Sequence, residues 1–270
     1  MSTSADYHVH TSLSGDAKGE ILRCVRVAAS KKLEEIGISD HFAPQKIRDK
    51  LDFPLNYRKL SDYMEKVNGA KRKLKEPIKL KVGVEVDFVP DFANEIKGAL
   101  KGLPFDYIIG SVHFIEGWAF DNPKHIMEYQ KWDPAKLYEK YFMVVQACAE
   151  SKIFDIIGHP DLIKKFGFKP KTDISDLYQA TAKVFKKNDV CVEVNTSGLR
   201  HPCKEIYPAK QFLRICYDEG VPITFGSDAH MPEDIGRDFD KAISLVKEVG
   251  YEHIIIFTGR MKQLVRIRRC

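Results

Sequence analysis

The chain has 270 residues, 44% of them hydrophobic, and its 43 basic against 38 acidic side chains leave a net charge of +5. That length buries a sizeable core. So small a charge excess suits an anionic small molecule and gives no reason to expect nucleic acid, which needs concentrated basic surface. The six cysteines (Cys24, Cys148, Cys191, Cys203, Cys216 and Cys270) form no Cys-x-x-Cys pair and are scattered through a chain too large to need stapling. Reduced thiols and a cytoplasmic location are therefore expected, and a Cys-type structural zinc site is not. The opening "MSTSADYHVH" lacks a basic stretch followed by an apolar one, and no apolar run approaches the ~20 residues of a membrane span, so no membrane partner is expected.

The first extended run is "YHVH", residues 7–10. Residues two apart on a strand point to one side, so His8 and His10 project together. Residues 18–35 then place Ile21, Leu22, Val25, Ala29 and Leu33 on one helical face. "IGISD" (36–40) is a second strand, a helix is predicted near 57–75, and "IKLKVGVEVDF" (78–88) and "YIIGSVH" (107–113) continue the strands. "WDPAKLYEKYFMVVQACAESK" opens with Asp133 as N-cap and Pro134 at the first helical position, and carries Leu137, Tyr141, Val144, Val145 and Cys148 on a stripe. "FDIIGH" (154–159), "VCVEVN" (190–195) and "PITFGSD" (222–228) alternate with helices near 173–187, 207–219 and 233–249, before a weaker strand, "HIIIF" (253–257). The basic C-terminal "GRMKQLVRIRRC" reads as a solvated helix end or tail. Regular alternation without a linker or repeat predicts one α/β domain over residues 1–270, a closed barrel, with a doubly wound open sheet as the alternative.

Metal-competent side chains gather at the carboxyl ends of these strands. His8 and His10 end the first, with Asp16 in the loop beyond; His41 follows the second and Glu85 lies on the third. His113 ends the fourth, His159 the fifth, and Asp228 and His230 follow the seventh in "GSDAH". Barrel enzymes hold their active sites at this end. Six of the nine histidines fall there, whereas His125, His201 and His253 read as ordinary loop or strand-start residues. The set exceeds the three or four ligands that one structural ion takes, so roughly two or three divalent ions are expected to share it. Imidazole with carboxylate suits zinc, manganese or iron(II). Asp40, Asp87 and Asp161 stand beside these residues and either orient imidazoles or make ordinary salt bridges.

The motifs "HVHTSLSGD", "ISDH", "VGVEVDF", "GSVHF", "IIGHPDL", "VEVNTSGLR" and "FGSDAH" occur in this order over residues 8–230. In that ordered set the chain resembles the PHP superfamily (polymerase and histidinol phosphatase), most closely its monofunctional histidinol-phosphate phosphatases. The resemblance implies a distorted (β/α)7 TIM-like barrel with a trinuclear metal centre, "HIIIF" lying outside the regular barrel, and hydrolysis of L-histidinol phosphate in histidine biosynthesis. It further implies one ion held by His8, His10, Glu85 and Asp228, with Glu85 bridging to a second that takes His113 and His159. A third would take Asp16, His41 and His230. Many superfamily members have histidine where this chain has Asp16, a departure shared with the histidinol-phosphatase branch that leaves the third ion's identity and occupancy open.

Phosphomonoester hydrolysis needs a nucleophile at neutral pH, and a hydroxide bridging two ions supplies one, because coordination lowers the pKa of water from about 15.7 towards roughly 7. In-line attack on phosphorus is expected, with Glu85 in the catalytic set and Asp228 or His230 helping to protonate the departing alkoxide. Arg200 in "NTSGLRHP" and Lys165 in "DLIKKFG" are expected to bind phosphate, as the matching family positions do. The family commonly has arginine at the second, which makes Lys164 the alternative. In the loop "FIEGWAFDNPKH", Trp118 and Phe120 offer an aromatic wall, and Glu116 and Asp121 an anionic edge, for an imidazole and an amine; local packing is the other reading. The partner expected is thus a small phosphate ester. Alternatives are a PHP phosphoesterase for another substrate (including phosphodiesterase or exonuclease), a non-catalytic metal-binding module, and an amidohydrolase. A nuclease calls for a basic groove with interleaved aromatics, a module for missing ligands, and an amidohydrolase for a carbamylated lysine with no evident position here.

Overall fold

The computed structural model describes residues 2–3, 5–43, 45 and 59–267. Strands β1 (Ser2–Thr3) and β2 (Ala5–Asp6) precede helix α1 (Ile21–Ser30), β3 (Glu35–Ile38), β4 (His41–Phe42) and α2 (Leu60–Lys73). Next come β5 (Lys79–Val82), β6 (Glu85–Asp87), α3 (Ala93–Leu100), β7 (Ile109–Ser111), β8 (Phe114–Ile115), β9 (Trp118–Ala119) and α4 (Pro134–Glu150). The chain continues through β10 (Ile156–Ile157), α5 (Ser175–Lys187), β11 (Cys191–Asn195), α6 (Lys210–Asp218), β12 (Ile223–Gly226), α7 (Phe239–Val249), β13 (His253–Thr258) and β14 (Met261–Ile267).

Two parallel sheets, ordered β2-β3-β5 and β4-β6-β7-β10-β11-β12, share their strands. The chain passes from β3 to β4 through Ser39–Asp40 and from β5 to β6 through Gly83–Val84, so these are two bent barrel strands. Closure comes from Tyr7 N donating to Phe225 O (3.1 Å), a Val9–Ala229 bridge, and His10 N donating to Ala229 O (2.9 Å). The result is the expected distorted (β/α)7 barrel. Its interior is plugged by Tyr107, whose hydroxyl donates to Tyr7 O (2.6 Å). A Cβ at Gly37 or Gly83 would lie 1.9 Å and 2.2 Å from atoms of that side chain, so the glycines of "IGISD" and "KVGVEVD" make room for the plug.

Three expectations change. "YHVH" is not a regular strand: hydrogen-bonded pairing holds Ala5–Asp6 and then only Val9, yet His8 and His10 still project together. The C-terminal segment is a strand, not a helix end or tail. Gly259 and Arg260 both have positive φ (+54° and +66°), the geometry of a tight hairpin turn, and reverse β13 onto β14. Strand β14 also pairs with β1, so "HIIIF" belongs to a separate three-stranded sheet outside the barrel. Residues 268–270, with Cys270, and the beginning of the helix predicted near 57–75 lie outside the described residues. Helix α3 carries only Ile96 and Leu100 as buried residues and is interrupted by Gly98, too weak a pattern to read from sequence.

Other elements follow the sequence closely. Asp133 caps α4 by accepting from Lys136 N (3.0 Å), and Leu137, Tyr141, Val145 and Cys148 are buried while Val144 is half-buried. In α1 the buried set is Ile21, Cys24, Val25 and Ala28, so the small Cys24 and Ala28, rather than Leu22 and Ala29, lie against the sheet. All five described cysteines are free thiols. No described helix is long and apolar enough to cross a membrane.

Candidate metal centre

The carboxyl ends of the barrel strands and the loops beyond them bring the candidate ligands to one mouth. Glu85, at the start of β6, is fully buried, and five imidazoles surround its carboxylate. His41 Nδ1 (2.9 Å), His159 Nε2 (3.0 Å), His8 Nε2 (3.2 Å), His10 Nε2 (3.4 Å) and His113 Nε2 (3.7 Å) all lie against it. Asp228 Oδ1 is 3.4 Å from His10 Nε2 and 3.8 Å from His8 Nε2. Asp16 Oδ2 lies 3.2 Å from His230 Nε2 and 3.5 Å from His41 Nε2. The structure thus gathers all nine residues singled out from the sequence. His159 and Asp228 have positive φ (+23° and +53°), a backbone that non-glycine residues adopt at a cost of about 1–3 kcal/mol and that recurs at functional sites.

Electrostatics keep two of the carboxylates ionised and one of the imidazoles neutral. Burial alone would raise the Glu85 carboxyl, but the fields of His8 and His41 and a hydrogen bond from His159 hold it well below the usual range. Burial is likewise outweighed at Asp228 by His8, His10 and His230. Burial, with His230 and His41 nearby, pushes His10 down to about 3, so its ring is neutral with its lone pair available.

Second contacts fix the rings. His8 Nδ1 meets Glu193 Oε1 at 2.6 Å and His113 Nδ1 meets Asp87 Oδ1 at 2.5 Å, so in both rings Nε2 is the nitrogen presented to Glu85. Asp87 therefore orients an imidazole. Asp40 instead takes Thr11 N (2.5 Å) and Oγ1 (2.7 Å), and Asp161 takes Lys164 and Ala209 N. Glu193 escaped the sequence reading. Its signal was one carboxylate inside the otherwise apolar run "VCVEV", where a buried parallel strand is expected to be hydrophobic throughout.

A divalent cation fits these residues. His8 Nε2, both ring nitrogens of His10, His41 Nδ1, His159 Nδ1 and Glu85 Oε2 are buried without a hydrogen-bond partner, and such atoms cost about 1–3 kcal/mol each unless something else engages them. Donor atoms lie within 4.8 Å of one another in four overlapping triads: His8–His10–Glu85, His41–Glu85–His113, His10–His41–His230 and His8–His159–Asp228. Glu85 belongs to two of them.

The cluster floors a cavity of about 530 Å3 whose wall carries Arg200, Lys165, Asp121, Ser197 and His201. Arg200 donates from Nη2 to Ser227 O (2.6 Å), while its Nη1 is buried without a partner. Lys165 Nζ sits 3.2 Å from Asp121 Oδ2. Lys164 turns away into the protein, whereas Lys165 lines the cavity. His201, read from sequence as an ordinary loop residue, lines the cavity, and burial together with Lys165 lowers its pKa to about 4, leaving it neutral. His125 and His253 do not line it.

Trp118 and Phe120 do not form the expected wall. Ala119 and Asp121 line the cavity, whereas the two aromatic rings do not. Trp118 stacks on Trp132 (6.3 Å between ring centres) and Phe120 is fully buried against Tyr141. Glu116 pairs with Lys140 at the surface, so of the two acids of this loop only Asp121 lines the cavity.

The fold and this donor set define a metal-dependent barrel hydrolase. The chain belongs to the PHP family: the PHP domain matches residues 6–197. It is 32% identical over 250 residues to a probable histidinol-phosphatase of Deinococcus radiodurans, covering 93% of this chain and 95% of the relative. A Lactococcus lactis histidinol-phosphatase is 26% identical over 265 residues, covering 94% of each. Among solved structures, a Lactococcus lactis histidinol phosphate phosphatase complexed with zinc, L-histidinol and phosphate superposes with a TM-score of 0.81 at 24% identity, over 97% of this chain and all of the other. A putative histidinol phosphatase of Listeria monocytogenes gives 0.78 at 23% identity, covering 88% and 99%.

Proposed function

We propose that this centre hydrolyses L-histidinol phosphate to L-histidinol and phosphate, with roughly two or three divalent ions (zinc, manganese or iron(II)) held by the nine residues around Glu85. The observation that carries the reading is the convergence of these donors beneath a cavity walled by Arg200 and Lys165. The histidinol-phosphatase relatives support the choice of substrate.

When bound, the ions supply an acidified water as nucleophile and positive charge against the phosphoryl oxygens. Glu85 belongs to two of the donor triads, so its carboxylate would help to hold ions in both. Arg200, anchored through Ser227 O, offers its unpartnered Nη1 to a phosphate oxygen, and Lys165 adds a point charge. Asp121 lies on the same wall to face the substrate's ammonium or imidazole. As the bond between phosphorus and the histidinol oxygen breaks, Asp228 or His230 passes to the alkoxide the proton it has taken from the attacking water; His230 is the more exposed, at 37% of its side chain.

The test is kcat/KM for L-histidinol phosphate beside p-nitrophenyl phosphate after reconstitution with manganese, zinc or iron(II). A preference of several orders of magnitude is expected; equal and feeble rates would assign the centre to another phosphate ester. Arg200→Ala should raise KM about 10- to 100-fold, the equivalent of one charged hydrogen bond of roughly 1.5–3 kcal/mol, with a smaller change in kcat. An unchanged KM would remove Arg200 from the site.

A further inference from the structure

Lys164 is a charged side chain only 2% exposed, and the reaction as described does not use it. Its ammonium meets Asp161 Oδ2 (2.8 Å), Ile206 O (2.9 Å) and Glu205 Oε2 (3.3 Å), and stands 5.2 Å from the centre of the Tyr207 ring. Asp161, itself fully buried, also accepts from Ala209 N (2.8 Å). These contacts join two different loops. One, after β10, carries His159 and Lys165; the other, after β11, carries Ser197, Arg200 and His201. A backbone bond from Cys203 N to Lys165 O (3.1 Å) and the paired strand contact of Asn195 with Tyr207 complete the seam.

We infer that Lys164 and Asp161 form a clamp that sets the distance between Lys165 and Arg200, and so the width of the phosphate end of the cavity. Lys164 is a positioning residue: it touches neither the metal-ligand cluster nor the cavity wall, and acts through the two loops it ties. An apolar loop contact would allow sliding, whereas a buried ammonium satisfied by two carboxylates and one carbonyl has few alternative positions. Displacing a binding group by about 1 Å can cost up to about 100-fold, so a seam of this kind matters at a distance from the chemistry.

The inference rests on Arg200 and Lys165 binding phosphate, so the experiment includes Arg200→Ala. Lys164→Met and the double variant Lys164→Met/Asp161→Asn are prepared, the second to avoid leaving a buried carboxylate unpaired. Thermal unfolding, bound metal, kcat, KM and the inhibition constant of inorganic phosphate are measured for each. Expected is a rise of about tenfold or more in KM and in the phosphate inhibition constant, with metal content retained and kcat changed less. A folded, metal-loaded double variant with both constants within threefold of the parent overturns the clamp. So does a parallel fall in metal content, stability and kcat, which marks a merely structural pair. If Arg200→Ala weakens phosphate and the Lys164 variants do not, the clamp alone fails; if none of them does, the phosphate assignment fails with it.

Discussion

Glu85→Ala is expected to strip the centre of its metal and to lower kcat/KM by about a thousandfold or more, since roughly 4 kcal/mol of transition-state stabilisation is a modest share of what bound metal supplies. The reason is position. Five imidazole nitrogens approach this one carboxylate within 3.7 Å, from four separate barrel strands. Neither Asp228 nor Asp16 lies against as many of the imidazoles, and two of the four donor triads include Glu85. Without its charge, neutral imidazoles alone would have to hold ions whose repulsion the carboxylate offsets. Metal content by mass spectrometry and kcat/KM on L-histidinol phosphate decide the matter, with circular dichroism of the chelator-treated proteins separating loss of metal from loss of fold. Full metal and near-parental activity in Glu85→Ala would sink the assignment of this centre.

Much of this centre was legible in the sequence because barrel strands end in it. Each strand run was recognisable from its β-branched residues, and the residue at its carboxyl end could simply be read off, as with His113 after "GSV" or Asp228 after "FGS". Spacing also sufficed where one strand gives two ligands, as with His8 and His10. What failed depended on side-chain direction or on distant pairing. Trp118 and Phe120 looked like a wall because aromatics in a long loop are conspicuous, but their distant packing partners, Trp132 and Tyr141, say which side they take. His201 looked ordinary because it follows a helical turn rather than a strand, and its place at the cavity depends on where the loop after β11 is tied. The C-terminal strand was hidden by its charges: exposed Arg and Lys on one face read as a solvated tail until β13 supplies a partner.

Glu193 is the most informative residue missed, and its replacement gives the second large effect expected. Oε1 meets His8 Nδ1 at 2.6 Å, while Oε2 accepts from His159 N (2.7 Å) and Asn195 Nδ2 (3.0 Å). One buried carboxylate therefore fixes the ring of one ligand residue and the backbone of another whose φ is positive. An amide has a single acceptor oxygen, so Glu193→Gln satisfies His8 or His159 but not both. Metal affinity, measured by competition with a chelator, should fall about 10- to 100-fold, with kcat/KM at limiting metal falling alongside. Gly226 provides an independent check on the same geometry. A Cβ there would lie 1.9 Å from Glu193 Oε1 and 2.7 Å from His8 Cβ, so Gly226→Ala must push that carboxylate off its ring and weaken metal binding in the same direction. Unchanged affinity in both variants would mean that the imidazole of His8 is held by the strand and its neighbours rather than by Glu193. A loss in both would place the carboxylate of "VCVEVN" among the residues on which the centre depends, although it touches neither cavity nor substrate.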